Sequence, residues 1–234
     1  MIGENLIKAM AIDIDGTMTY KDRRLDVAAV DAVRRAEAAG LPIVLATGNI
    51  TCFAEAAAVL LGTSGFIIAE DGGVVFDRMS GMEEVLGDRV EADRGLDALR
   101  RAFGNIKQTR GSLMRLTGLT IERTITAEQA TDVFRREGLG LIAVDSGFAI
   151  HIKNPDVNKG NALHKLASIL KISTAEIAAV GDGLNDIEML EAAGVSFAVA
   201  NSNELVKKAC THVTSEPYGR GVAEAVEKVL MLYR

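Results

Sequence analysis

Apolar and polar positions along the chain fall into two different rhythms. A buried-type run at 6–12 ("LIKAMAI") precedes helical spacing at 26–40, with Gly40 placed to end the helix. A second apolar run at 42–46 leads into helical spacing at 51–62, closed by Gly62. A third run, 65–69, ends where Gly72-Gly73 turns the chain into "VVF". The alternation resumes at residue 159: helix 159–170, strand 176–180, helix 185–194, strand 196–200, helix 203–209, a short "HV" strand and helix 221–232. This order predicts an α/β fold, a mostly parallel sheet with helices on both faces.

The middle of the chain breaks that order. It reads as helix 91–103, β-like runs at 112–116 and 119–125, helix 127–137, and β-like runs at 140–144 and 147–152. Asp145-Ser146-Gly147 fits a hairpin turn between the last two. Grouped strands and helices predict a small α+β domain inserted into the α/β core. The expected division is a core of residues 1–82 and 153–234 and an insert of residues 83–152.

Composition narrows the classes of function. Hydrophobic content of 48% and charged content of 25% are ordinary for a globular protein. A net charge of −6, no Trp and only 4% aromatic residues argue against a nucleic-acid partner. Cys52 and Cys210 have no metal-ligand spacing and suit a reducing interior. No signal-peptide pattern opens the chain, and no run reaches the ~18 apolar residues of a membrane span. The expectations are a cytoplasmic protein with no membrane partner, and the sequence is compatible with a homodimer.

The chemistry collects at the predicted carboxyl ends of strands, where open α/β sheets bind ligands. Asp13 and Asp15 follow the first strand in "DIDGT", Thr47-Gly48-Asn49 the second, and "GDGLND" (181–186) the strand 176–180; Lys159 starts a helix in "NKG". Four carboxylates, Asp13, Asp15, Asp182 and Asp186, call for a hard divalent cation, and an all-oxygen set suits Mg²⁺. Lys159 with that cation can hold a phosphate dianion. The Thr47 hydroxyl and the N–H groups after it can donate to phosphate oxygens. A carboxylate can attack phosphorus to give an aspartyl-phosphate. Asp15 can then protonate the leaving oxygen and later deprotonate water.

"DIDGT", "LATGN", "NKG" and "GDGLND", in this order, resemble the four motifs of the haloacid dehalogenase (HAD) superfamily of phosphatases. The resemblance covers roughly residues 6–80 and 153–234. It implies a Rossmann-like core, and the insert resembles the type 2 cap of the Cof-like and sucrose-phosphate-phosphatase-like branch. Within it the short chain looks most like the archaeal phosphoglycolate phosphatases. The resemblance implies Asp13 as nucleophile and Asp15 as general acid/base. It implies Asp13, the backbone carbonyl of Asp15, and Asp182 as Mg²⁺ ligands, with Asp186 in or near that shell. Thr47, Gly48 and Lys159 would bind phosphate. The substrate would be a small phosphorylated metabolite, 2-phosphoglycolate, cleaved to glycolate. Two positions depart from common superfamily patterns, Asn49 where Arg is frequent and Asp71-Gly72 where Asn-Gly is frequent.

Other readings fare worse. A calcium loop starting at Asp13 needs Gly and Glu where the chain has Met18 and Arg24. A dinucleotide loop at 181 needs a third Gly where Asp186 stands. A sugar-phosphate phosphatase and a phosphomutase share the whole constellation and stay open. A receiver-type phospho-acceptor is the remoter alternative, since such modules lack an acid at the position of Asp15. For substrate choice, Arg115 and Arg123 of the insert are the candidates to meet a carboxylate.

Overall fold

A computed structural model of the chain describes residues 6–232. The elements in chain order are β1 (Ala9–Asp13), α1 (Val27–Ala38), β2 (Ile43–Ala46), α2 (Thr51–Leu61), β3 (Phe66–Ala69), β4 (Val74–Asp77) and β5 (Met82–Val85). Then come α3 (Arg89–Phe103), β6 (Leu119–Ile121), α4 (Ala127–Glu137), β7 (Ile142–Asp145) and β8 (Ile150–Lys153). The chain ends with α5 (Lys159–Leu170), β9 (Ile177–Gly181), α6 (Ile187–Ala192), β10 (Val195–Ala198), α7 (Glu204–Ala209), β11 (His212–Val213) and α8 (Tyr218–Leu232). They form two compact units, residues 1–84 with 158–234, and residues 85–157. The second boundary lies five residues beyond the expected 152, because β8 and the turn after it stay with the insert.

The larger unit is built on a sheet of order β11-β10-β9-β1-β2-β3-β4-β5. β1 pairs in parallel with β2 on one side and β9 on the other, β9 with β10, and β2 with β3; β4 returns antiparallel. All five residues of β1 are buried, as a parallel strand covered on both faces requires. Successive side chains of a strand point to opposite faces. Met10 and Ile12 join the core formed with α1, α2 and α8, whereas Asp13 belongs to the other set. Across α5 and α6, packed against each other, helices contact β3, β4, β9 and β10.

Local signals set the helices. Asp26 caps α1 through its bond from Ala28 N, and Ala29, Ala32, Val33 and Ala36 give the buried stripe. Gly62 ends α2 in the left-handed conformation. Asn158 caps α5, whose buried face runs Lys159, Ala162, Leu163, Leu166. A lysine thus occupies a position where the stripe alone would place an apolar residue.

The smaller unit packs α3 and α4 on an antiparallel sheet of order β6-β8-β7. Its core includes Leu96, Leu99, Ile121, Val133, Phe134, Ile150 and Ile152. Phe134 is wholly buried, which stabilises by roughly 2 kcal/mol through transfer alone. The expected turn at 145–147 is present, with Ser146 N donating to Ala149 O and Gly147 at φ 81°.

Two expectations are corrected here. Residues 112–116 form no strand; Arg110–Met114 is a 3₁₀ turn. Arg89 holds carbonyls within and after it, its Nη1 donating to Ser112 O, Arg115 O and Gly118 O, and Ser112 Oγ accepts from Thr120 N. The run 119–125 is a strand only to Ile121, after which Thr124 N turns back to Glu122 O. β5 straddles the expected boundary between 82 and 83 and is an edge strand of the larger sheet. Among the described residues no helix is long and apolar enough to cross a membrane.

Candidate active site

The order of the sheet places β1 where the chain's path divides, with β2 and β3 laid to one side and β9 to β11 to the other. The carboxyl end of β1 between β2 and β9 is therefore the natural crevice. Asp13 is the last residue of β1, Thr47 follows β2 and Asp182 follows β9.

Lys159 ties the cluster together. Its Nζ donates to Asp13 Oδ1 and to Asp186 Oδ1, each at 2.6 Å, with the lysine side chain fully buried. Burial works against its charge, but Asp13 and then Asp186 more than offset this, and its pKa is raised. The second oxygen of Asp186 accepts from Asp182 N at 3.1 Å and Gly183 N at 2.9 Å. Asp186 thus folds the "GDGLND" loop back on itself and fixes Lys159. Asp182 Oδ1 accepts from Thr17 Oγ1 at 2.9 Å.

Asp13 Oδ2 is different. It is buried and has no hydrogen-bond partner among the described residues. Burial, and then the charge of Asp186, push the Asp13 carboxyl well above its ordinary range. Burial and Asp186 likewise raise Asp182 to about 6. Carboxylate oxygens of Asp13, Asp182 and Asp186 lie within 4.8 Å of one another. One lysine among three carboxylates leaves an excess of negative charge. An unpartnered buried oxygen and an all-oxygen donor set both fit a hard divalent cation. Asp13 and Asp182 have oxygens to offer it, while both oxygens of Asp186 are engaged.

The carboxylate of Asp15 stands outside that cluster. Its Oδ1 accepts from Arg23 Nε at 3.0 Å and its Oδ2 from Asn49 Nδ2 at 2.5 Å. Asn49 also donates from N and Nδ2 to Thr47 Oγ1, each at 3.0 Å. Thr47 is buried, held by Thr47 N donating to Ile68 O. Its hydroxyl accepts twice, which leaves the hydroxyl hydrogen for another acceptor.

A strained segment after β3 joins these loops. Glu70, Asp71 and Gly72 all have positive φ, 55°, 58° and 97°. Glu70 N donates to Asn49 O and Asp71 N to Thr47 O. Asn185 Nδ2 donates to Asp71 Oδ1 at 3.2 Å. A Cβ on Gly48 would stand 2.7 Å from Asp71 Oδ1, and one on Gly72 2.1 Å from Asn158 O. Only glycine fits at 72, whereas a side chain at 48 would require the Asp71 carboxylate to move.

The structure thus gathers Asp13, Lys159, Asp182 and Asp186 in one cluster, with Asp15, Thr47 and Gly48 linked around Asn49 and Asp71. Arg23, Thr17, Asn185 and Asn49 hold these side chains and were not among the expected site residues. Thr17 and Asn185 lie inside the quoted motifs, a signal that was available; Arg23 carries no such mark. In the smaller unit, Arg123 grips Asp145 through Nε at 3.1 Å and Nη2 at 2.8 Å. Arg115 is buried after the 3₁₀ turn.

Comparisons with known proteins agree on one family. The haloacid dehalogenase-like hydrolase family matches residues 10–100 and 118–226. The chain is 39% identical over 224 residues to a protein of Methanothermobacter thermautotrophicus named phosphoglycolate phosphatase, covering 96% of this chain and 99% of that one. It is 42% identical over 220 residues to the Archaeoglobus fulgidus protein of the same name, covering 94% and 96%. Among solved structures, Thermoplasma acidophilum 0175 superimposes with TM-score 0.86 at 25% identity, covering 97% and 99%.

Proposed function

Since the chain belongs to the haloacid dehalogenase-like hydrolase family, we propose that it hydrolyses phosphate monoesters through an aspartyl-phosphate, with 2-phosphoglycolate as substrate. The observation that carries the reading is Asp13 Oδ2, a buried carboxylate oxygen with no partner beside a lysine bound to its twin.

In the first half-reaction one carboxylate oxygen of Asp13 attacks phosphorus and the ester P–O bond breaks. The leaving oxygen takes a proton from Asp15, so glycolate departs neutral at its new hydroxyl. In the second, water attacks phosphorus and gives a proton to Asp15. The bond from phosphorus to Asp13 breaks, and inorganic phosphate leaves with both carboxyl groups restored. Lys159 keeps Asp13 oriented and sets positive charge beside the phosphoryl oxygens. Thr47 and the backbone at Gly48 supply donors to those oxygens. Asp13 and Asp182 would hold Mg²⁺, with the Asp15 carbonyl as a further ligand. The ion would supply charge stabilisation for the phosphoryl group.

The near full-length relatives named phosphoglycolate phosphatase support the choice of ester. The test is phosphate release from 2-phosphoglycolate, sugar phosphates and an aryl phosphate, with Mg²⁺ or with EDTA. The expected result is Mg²⁺-dependent release favouring 2-phosphoglycolate and abolished in Asp13→Asn. Preference for a sugar phosphate would overturn the substrate, and activity in Asp13→Asn would overturn the mechanism.

A further inference from the structure

The carboxylate of Asp15 is gripped by a residue of a hairpin that the reaction as written does not use. Residues 18–26 fold back on themselves: Thr19 bridges Leu25, Asp26 N donates to Met18 O, and Tyr20 N donates to Arg24 O. Met18 is wholly buried, and Tyr20 meets Tyr218 edge-on with ring centroids 5.4 Å apart. The hairpin is thereby anchored at its base and along one arm. Arg23, at the tip, has φ 67°, a backbone conformation that L residues rarely adopt.

From that position the guanidinium turns back toward the base. Arg23 Nε donates to Asp15 Oδ1 at 3.0 Å and Nη2 to Asn49 Oδ1 at 3.2 Å. Its Cζ lies 5.8 Å from the centroid of Phe53, on α2. Asn49 in turn donates to the other oxygen of Asp15. The three side chains close a ring in which every Asp15 oxygen is fixed in direction. The planar fork of an arginine suits this two-partner contact, and a lysine does not. An exposed ion pair contributes little stability, so stabilising the fold is a weak reason for a left-handed arginine here.

We infer that Arg23 is a positioning residue: with Asn49 it fixes the Asp15 carboxyl in the orientation from which Asp15 delivers its proton to the leaving oxygen. This rests on the hydrolase reading above. It sets Arg23 apart from a residue that binds the far end of the substrate.

The test is Arg23→Gly in the full chain, since glycine accepts the φ of this position and removes only the side chain. Single-turnover release of the leaving alcohol or phenol, which reports the first half-reaction alone, would be followed for three esters: 2-phosphoglycolate, an alkyl phosphate with no carboxylate, and an aryl phosphate with a good leaving group. Arg24→Ala, whose guanidinium pairs with Asp22 instead, serves as the control in the same hairpin. Release from both alkyl esters should fall roughly thirtyfold, part of the roughly 10²–10⁴ that a positioned acid contributes. Aryl ester release should fall much less, because that leaving oxygen needs little protonation. KM should stay within about twofold, and added guanidinium should restore part of the lost rate.

A fall confined to 2-phosphoglycolate with a raised KM would overturn the inference and make Arg23 a substrate contact. An equal fall for all three esters without guanidinium rescue would also overturn it, leaving a structural role. So would Arg23→Gly rates equal to wild type on an active enzyme. No release by the wild-type chain, or release surviving in Asp13→Asn, would instead overturn the hydrolase reading itself.

Discussion

Lys159 Nζ stands 2.6 Å from Asp13 Oδ1 with the lysine side chain wholly buried. A buried ion pair is a poor source of net stability, but removing one partner leaves the other charged and dry. Here the lysine has two partners, Asp13 and Asp186. Lys159→Met, close in size, should lower stability by about 3 kcal/mol at neutral pH. Urea unfolding followed by circular dichroism would measure it. A change below about 1 kcal/mol would mean that the carboxylates find another cation or a proton.

On the proposed mechanism Asp15 serves both half-reactions, and its replacement should separate them. Asp15→Asn should lower turnover of an alkyl phosphate by about 10²–10⁴. An aryl ester needs little help to leave, so it should still load Asp13. Water would then lack its base, and an acid-labile phosphoprotein should accumulate in rapid-quench samples. Discharge at the wild-type rate, with no phosphoprotein accumulating, would count against the dual role.

Acidity and metal should act together on stability. Burial and then Asp186 raise Asp182 from 3.8 to about 6, and burial raises Asp13 in the same direction. Between about pH 4 and about pH 6 the folded metal-free chain holds protons that the unfolded chain has released. Stability of the metal-free protein should therefore fall as pH rises through that window. A cation bound to the anionic forms reverses the penalty, so Mg²⁺ should raise Tm more at neutral pH than at about pH 5. Thermal unfolding across pH with Mg²⁺ or EDTA checks this, and a pH-independent Mg²⁺ effect would contradict it.

Gly72 is a steric keystone. Its φ is 97°, and a Cβ would stand 2.1 Å from Asn158 O, the residue that caps α5. Gly72→Ala should cost about 3 kcal/mol from backbone strain and overpacking. It should also lower kcat, because the displaced residue precedes Lys159. Denaturation and steady-state kinetics on one preparation would test both. A variant that is destabilised but has normal kcat would show that α5 absorbs the shift elsewhere.

The parts of the site visible in the sequence are those that sit where a pattern changes. Asp13 stops an apolar strand, and Asp182 and Asp186 stop another. Lys159 was visible only as one of four clusters, since a lone lysine opening a helix usually faces solvent. Its burial follows from the helix stripe it shares with Leu163 and Leu166, which the spacing already held. Arg23 was not legible at all. Its partner Asp15 is eight residues away in a loop, and no periodicity links a hairpin tip to its base. The 112–116 run misled for a related reason: its apolar residues suggest a strand, but Leu113 and Met114 are exposed and Arg89 takes up the local carbonyls. Side chains distant in sequence decided both cases.

The central place of β1 has a consequence during synthesis. One neighbour, β2, emerges soon after it, but the other, β9, begins at Ile177. Until then one edge of β1 presents unpaired backbone groups, and until Lys159 emerges Asp13 lacks its lysine. A chain halted before Lys159 would therefore hold Asp13 without its cationic partner and an unpaired strand prone to join another chain. Such a product would be recognised by its edge, as a client for chaperones or proteases, before it could be recognised as an enzyme.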